Sequence, residues 1–249
     1  MSWLIPHWPG LPDNIGVLST TRLGGVSPEP YDDGAGGGGL NLGTHVGDQP
    51  EHVVRNRAIL CAQLPSEPVW LSQVHGTAVV DVAAAQHQVP EADASFSTTP
   101  GKVCLIMTAD CLPVLFCDAE GKTVAAAHAG WRGLAAGVLQ TTVASMRAAG
   151  AGELSAWMGP AIGPEQFEVG EDVRTAFQQQ GAPDAFQPIA GKPGKYLADI
   201  YALARYVLRK AGVQQVHGGE FCTVSDPARF YSYRRDGVTG RQASLIWIK

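Results

Sequence analysis

Cysteine, positive charge and long apolar runs are all scarce in this chain. Five cysteines, Cys61, Cys104, Cys111, Cys117 and Cys222, occur in 249 residues, an odd number with no CxxC pair. That excludes a secreted disulfide framework and a structural zinc knuckle, both of which need paired or closely spaced thiols. Eighteen basic against twenty-three acidic residues leave a net charge of −5. No nucleic acid and no anionic membrane surface is an expected partner, since both demand clustered positive charge. No apolar stretch approaches the about eighteen residues of a membrane span. The start, Met1-Ser2-Trp3-Leu4-Ile5-Pro6, has neither a basic residue nor an apolar run of signal length, so the protein is expected in the cytoplasm.

What is present is the material of a globular core. Apolar residues make up 45% and charged residues 16% of the chain, and no Ser/Pro-rich or charged linker interrupts the hydrophobic runs. One domain over residues 1–249 is expected. Residues 16–21 read as a strand entering a turn over 22–28. A glycine-rich loop follows to residue 43, and its run over 34–39, with no side chains to pack, is expected to be mobile. A helix is expected over 50–64, with Asp48 as its N-cap and Pro65 as its stop. Short apolar runs over 69–74, 78–82, 103–109, 113–117, 123–127 and 154–158 read as strands. Helical spacing marks 134–149, 171–180 and 196–211, and residues 215–222 and 243–248 return to strand. Hairpin strands mixed with single helices give an α/β (α+β) fold, a layered sandwich of mixed β-sheets with helices packed outside.

The chemistry concentrates between Thr108 and His128. Two strands there are joined by a tight turn. With Ala119-Glu120 as a two-residue loop, Asp118 faces Gly121 and Cys111 faces His128, with β-carbons ~5 Å apart on one face. A three-residue loop with Gly121 left-handed would shift the pairing by one and make the contact diagonal. A lone cysteine or histidine is more often a buried core residue than a ligand. Here, however, Asp110, Cys111 and His128 stand at strand ends beside Pro113 and Gly130, where α/β proteins place their ligands. His75, ending an apolar run just before Gly76, is placed to face the same cleft. One cysteine and two histidines suit a catalytic zinc that keeps one position open, and equally a trigonal copper site. The spacing, 36 residues from His75 to Cys111 and 17 more to His128, matches no standard zinc motif. His7, His45, His52, His87 and His217 lack such a setting, and surface or core duty is their default.

Other segments carry weaker signals. Gly130-Trp131-Arg132-Gly133 leads from a strand into a helix, where backbone N–H groups and Arg132 can hold an anion, or where glycine serves close packing and the arginine is solvated. Arg22, in its glycine-rich turn, is a second candidate for an anion. Gly121-Lys122-Thr123 is no phosphate loop, because the glycine required five residues earlier is Phe116. Residues 230–236 interleave aromatics with arginines, which suits stacking a base or pairing with a carboxylate better than binding a strand of nucleic acid.

Together these segments resemble the YfiH-type family, whose members are variously called laccase-domain proteins, multicopper polyphenol oxidases or purine nucleoside phosphorylases. The resemblance rests on residues 20–27, on 41–48, on Gln73-Val74-His75-Gly76, on 108–113, on 128–133, on 159–164, and on Tyr233-Arg234-Arg235 with Gly240-Arg241. It implies a layered α/β sandwich, metal ligation by His75, Cys111 and His128, and zinc, or else copper, as cofactor. It also implies phosphorolysis of adenosine, inosine, guanosine and methylthioadenosine, together with adenosine deamination. Purine nucleoside and phosphate are then the partners, on a monomer or small homo-oligomer. Within that frame Arg22, Gln73 and Arg132 are expected to bind substrate, and Asp110 to transfer a proton at the base. The glycine-rich stretch 33–39 departs from the family pattern without touching a ligand. A multicopper centre needs a histidine-rich cluster, and seven scattered histidines with no H-x-H pair do not supply it. Alternative readings are a Cys111–His128 thiol hydrolase that edits cell-wall peptide precursors, a copper-dependent polyphenol oxidase, and a metal-binding protein without activity.

Overall fold

The structure, a computed structural model, describes residues 3–85, 89–179, 181–182 and 185–249; His87, and Gln180 at the end of one expected helix, lie outside them. The chain begins with β1 (Ile15–Ser19) and β2 (Leu23–Ser27), followed by α1 (Pro50–Cys61). Next come β3 (Val79–Asp81), β4 (Ala94–Ser97), β5 (Val103–Thr108), β6 (Leu112–Asp118) and β7 (Val124–Ala129). After α2 (Trp131–Ala136) and α3 (Val138–Ala148) follow β8 (Leu154–Met158), β9 (Glu168–Gly170), α4 (Glu171–Gln178), β10 (Phe186–Pro188) and β11 (Lys195–Ala198). The chain closes with α5 (Ile200–Lys210), β12 (Gln215–Gly218), α6 (Tyr233–Asp236) and β13 (Gln242–Ile248).

The strands form a mixed six-stranded sheet in the order β12-β8-β6-β7-β4-β3, an antiparallel sheet β1-β13-β5, and a small sheet β10-β11-β9. Alternation along β6 explains the stacking. Val114 and Phe116 join Val138, Leu139, Val143 and Met146 of α3 and Leu203, Ala204 and Val207 of α5 in one core. Leu115 and Cys117 pack with Cys104, Ile106, Ile246 and Ile248 of the three-stranded sheet in another. The far face of that sheet, through Leu105, Met107 and Leu245, meets Leu60 of α1. The order of layers is therefore helix, sheet, sheet, helix. A strand covered on both faces reads as a continuous apolar run, as β6 and β7 do. Alanines 125, 126, 127 and 129 on β7 are fully buried; their small side chains let both neighbouring layers approach closely.

The structure corrects several expectations. The expected turn over 22–28 is strand β2, which bridges Gly39 at both Leu23 and Ser27. The end of the glycine run is packed backbone to backbone, while residues 34–37 are exposed: Gly25 N–H donates to Gly38 O at 3.2 Å, and a β-carbon on Gly39 would collide with Tyr31 O. Gln49, not Asp48, is the N-cap of α1. The Asp48 carboxylate instead accepts from Ser27 Oγ, Asn41 Nδ2 and the Gln49 N–H. Residues 69–74 make isolated bridges at Val69 and Ser72 rather than a strand. The helix expected over 134–149 is split by Gly137, whose φ of 106° ends α2 and opens α3. The one expected over 196–211 is strand β11 and then α5, because the Asp199 side chain caps the helix at the Ala202 N–H. Strand β4, with two serines in four residues, carries too little hydrophobic signal to stand out.

Candidate metal centre

The site sits at one end of the six-stranded sheet, where β6 begins, β7 ends and β4 begins. The β6–β7 pairing places Pro113 opposite His128 and Leu112 opposite Ala129. The connection is a four-residue loop over 119–122, closed by Asp118 N–H to Thr123 O and by Asp118 Oδ1 accepting from the Lys122 and Thr123 N–H groups. The pairing is thus two residues away from direct opposition of Cys111 and His128. Because side chains alternate with a period of two, that shift preserves the face, and Cys111 becomes a diagonal neighbour of His128.

His75 Nε2 lies 3.7 Å from Cys111 Sγ. The ligand atoms of His75, Cys111 and His128 all fall within 4.8 Å of one another, and the two imidazoles meet edge to face at 4.8 Å. Donor atoms on a tetrahedral ion with bonds of about 2.0–2.3 Å stand roughly 3.5 Å apart, so the trio fits a single zinc or copper ion. Among the described residues it is the one cluster of at least three such side chains, which does not fit a multicopper assembly. Two of the backbone positions are unusual. His75 has φ 62° and Asp110 φ 87°, left-handed values that residues other than glycine adopt at a cost and that gather at functional sites. Gly130 completes the packing: a β-carbon there would come within 2.8 Å of His75 Cδ2 and 2.9 Å of Cys111 Sγ.

Sequence reasoning missed the residue that holds the trio together. Asp93, fully buried just before β4, accepts the His128 Nδ1–H at 2.8 Å. It also accepts the backbone N–H groups of Val74, His75 and Gly76 at 3.1, 2.9 and 2.6 Å. One carboxylate thereby fixes the ring of one ligand and the strained backbone of another. Burial works against the Asp93 charge, yet His128 and these amides hold its carboxyl below the usual range. The Cys111 thiol is pushed up by burial but drawn down further by the His128 and His75 imidazoles, to about 6. For His128 burial is likewise outweighed, by Cys111 and Asp93, and its pKa is raised to about 9. In the metal-free protein Cys111 and His128 therefore stand together as thiolate and imidazolium.

The trio opens into a cavity of about 730 Å³ lined by Gln73, Asp110, Trp131, Arg132, Ile162 and Phe167, among others. Its other expected residues fare differently. Gln73 lines the cavity, but its amide is paired both ways with the Met107 backbone at 2.8 and 2.9 Å. Asp110 lines it with one oxygen accepting from Thr223 Oγ1 and the other from the Arg234 N–H, each at 2.6 Å. Arg132 is exposed, with its guanidinium 4.5 Å from the Trp131 ring. The helix behind it, α2, has six residues, too short for a strong dipole. Arg22 is not part of the cavity lining. It is buried, and its guanidinium donates to Asp32 O, Asp32 Oδ1 and Pro227 O, which makes it a clamp on the glycine-rich loop. His45, Arg57 and Arg241, given no such role by the sequence, do line the cavity.

Among the described residues no helix is long and apolar enough to cross a membrane. Comparison with known proteins places this geometry in context. The family described as multi-copper polyphenol oxidoreductase laccase matches residues 16–249. A purine nucleoside phosphorylase of Pseudomonas aeruginosa is 55% identical over 250 residues, covering 100% of this chain and 99% of that one. The purine nucleoside phosphorylase YfiH of Escherichia coli is 53% identical over 247 residues, covering 98% of each. Among solved structures, a DUF152-family protein of Neisseria meningitidis superposes with TM-score 0.91 at 51% identity over 100% of both chains. YlmD from Geobacillus stearothermophilus does so with TM-score 0.88 at 30% identity, covering 100% of this chain and 97% of that one. With its layered sandwich and its His-Cys-His cluster, this chain belongs to the laccase-domain family of YfiH-type proteins, whose relatives here bear the name purine nucleoside phosphorylase.

Proposed function

We propose that this chain is a purine nucleoside phosphorylase acting on adenosine, inosine, guanosine and methylthioadenosine, with adenosine deamination as a second activity, at a zinc centre on His75, Cys111 and His128. The observation that carries this reading is the opening of the trio into one cavity that offers both an apolar wall and arginines that form no ion pair among the described residues. Trp131, Ile162, Phe167 and Ile200 supply surface for a purine. Bound to the trio, zinc, or copper in its place, supplies Lewis acidity inside the cavity. The chain's own part is positioning. Asp93 holds the Nδ1 proton of His128, leaving Nε2 to face Cys111 and His75. In phosphorolysis a phosphate oxygen bonds to ribose C1′ while the C1′–N9 bond breaks and its electron pair leaves with the purine. Guanidinium groups in the wall hold the phosphate for that displacement. Asp110, with both oxygens engaged, serves by fixing the turn before Cys111 to the segment around Arg234. Free thiols at all five cysteines support a cytoplasmic setting. Residues 1–249 act as one unit, as a monomer or small homo-oligomer.

The test is metal analysis of protein purified without added copper, followed by turnover of adenosine with and without phosphate. Stoichiometric zinc, and ribose 1-phosphate formed when phosphate is supplied, is the expected result. No ribose 1-phosphate from zinc-loaded protein would overturn it.

One observation favours a second reading. Cys111, His128 and Asp93 form a thiol–imidazole–carboxylate series with the thiol drawn down to about 6, the arrangement of a thiol hydrolase. The thiolate would attack an amide carbonyl, His128 would protonate the leaving amine, and water would release the acyl group. Activity on peptides that survives thorough chelation but is lost on alkylating Cys111 would select this reading.

A further inference from the structure

Among the described residues the cavity carries more positive than negative charge. Arg57, Arg132, Arg234 and Arg241 line it, with Asp110 as the one carboxylate among the described lining residues and the Cys111 thiol beside it. Among the described residues none of these four arginines is ion-paired: the salt bridges engage Arg22, Arg174, Arg229, Arg235, Lys122 and Lys192 instead. Asp110 is already occupied by Thr223 and by the Arg234 N–H. In a chain of net charge −5 such a local excess is a feature of the fold, not of composition.

Two of the arginines are seated firmly. Arg57 lays its guanidinium 3.6 Å from the Trp70 ring centre and donates Nε–H to Leu42 O at 3.0 Å. Arg241 donates Nη1–H to Thr239 O and Gly240 O. Its backbone N–H is held by Asn41 Oδ1 at 2.9 Å, and its stem packs so closely on Gly43 that a β-carbon there would approach Cγ to 2.8 Å. Both Nη groups of Arg57, with Nε and Nη2 of Arg241, make no hydrogen bond among the described residues, so each guanidinium keeps donors in reserve. His45 lines the same cavity and is exposed. Arg132 and Arg234 are exposed, whereas Arg57 and Arg241 are half-buried. A charge shielded from water attracts an anion more strongly than one that water screens.

We propose that Arg57 and Arg241 form an anion subsite that holds inorganic phosphate. The identity of the anion rests on the phosphorolysis reading; the excess of positive charge does not. Paired donors from two guanidiniums match the oxygens of a phosphate dianion, and the setting on α1 and before β13, each held against residues 41–43, fixes them before the ligand arrives.

Calorimetric titration of the zinc-loaded full chain with inorganic phosphate tests this directly. Arg57→Met and Arg241→Met are each expected to weaken phosphate binding at least about tenfold, and Arg132→Met to change it by less than about threefold. Because Arg57 also packs on Trp70, Arg57→Lys and near-ultraviolet circular dichroism separate loss of the ligand contact from loss of the fold. Arg57→Lys is expected to fold normally and still bind more weakly, since lysine lacks the fork. In turnover, KM for phosphate should rise in the Arg57 and Arg241 variants while KM for the nucleoside stays nearly constant. Phosphate binding that depends on Arg57 and Arg241 without formation of ribose 1-phosphate would uphold the subsite and defeat the phosphorolysis reading. Ribose 1-phosphate formed with an unchanged phosphate KM in both correctly folded variants would defeat the subsite and leave that reading standing. Equal loss in the Arg132 variant alone would move the anion to the turn before α2 and overturn the assignment.

Discussion

Asp93 Oδ1 accepts the Nδ1–H of His128 at 2.8 Å, and the same oxygen accepts the backbone N–H of His75 at 2.9 Å. Two of the three candidate ligands are therefore oriented by one buried atom. Asp93→Asn keeps the shape but offers one accepting oxygen in place of two and removes the charge. Metal affinity should fall about 10–100-fold, with a loss of stability of about 1–3 kcal/mol as amide N–H groups lose their acceptor. Chelator competition measures the first and urea unfolding the second. Unchanged metal affinity in the folded variant would show that the trio orients itself without Asp93.

His75→Ala should abolish metal binding with little effect on the metal-free fold, because the side chain is exposed and its ring contacts are with the other two candidate ligands. Its φ of 62° adds a sharper expectation. His75→Gly should be no less stable than His75→Ala, since glycine adopts that backbone without strain, a difference of at most about 1 kcal/mol. Metal stoichiometry and denaturant midpoints of both variants check this; bound zinc in either refutes the ligand assignment.

Thiol chemistry gives a pH signature. In metal-free protein the thiolate of Cys111 is populated as pH rises through about 6. Its alkylation by iodoacetamide should therefore increase across that range and level off near neutrality, unlike an ordinary thiol, which would still be gaining reactivity there. Buried Cys104 and Cys117, whose thiols burial pushes up to about 12, should stay unlabelled. His128→Ala should move the midpoint upward, because it removes the cation that holds the thiolate. Mass spectrometry of labelled peptides reads all three, and a wild-type midpoint near that of a free thiol would contradict the pairing. Zinc loading should suppress labelling of Cys111.

Gly130→Ala isolates the packing around the ligands. The backbone there, φ −58° and ψ 154°, is open to alanine, so the effect must come from the added methyl against His75 and Cys111. Overpacking of this kind costs about 1–3 kcal/mol, and spreading the donors should weaken metal binding by about tenfold or more. Native metal affinity in this variant would mean that the trio can widen without cost.

Much of this protein was decided locally. The apolar runs of β6 and β7, the amphipathic spacing of α3, the Asp199 cap of α5 and the strand-end settings of His75, Cys111 and His128 follow from neighbours within a few residues, because backbone propensity and side-chain alternation act at that range. The alternation even tolerated a misjudged turn. A four-residue loop in place of two shifted the β6–β7 register by an even number and left Cys111 and His128 on one face.

Tertiary structure decided the rest. Asp93 stands 35 residues from His128, and before folding it is an acidic residue ahead of a weak strand, indistinguishable from a solvated one. Arg22 stands two residues before Gly24 and Arg241 directly after Gly240, yet one is locked onto Asp32 and Pro227 and the other faces the cavity. Electrostatic and coordinating groups act through space, over distances that only the packed layers set. Which charges are cancelled and which stay available is therefore a property of the fold, while the sequence by itself determined where strands end and which donors wait there.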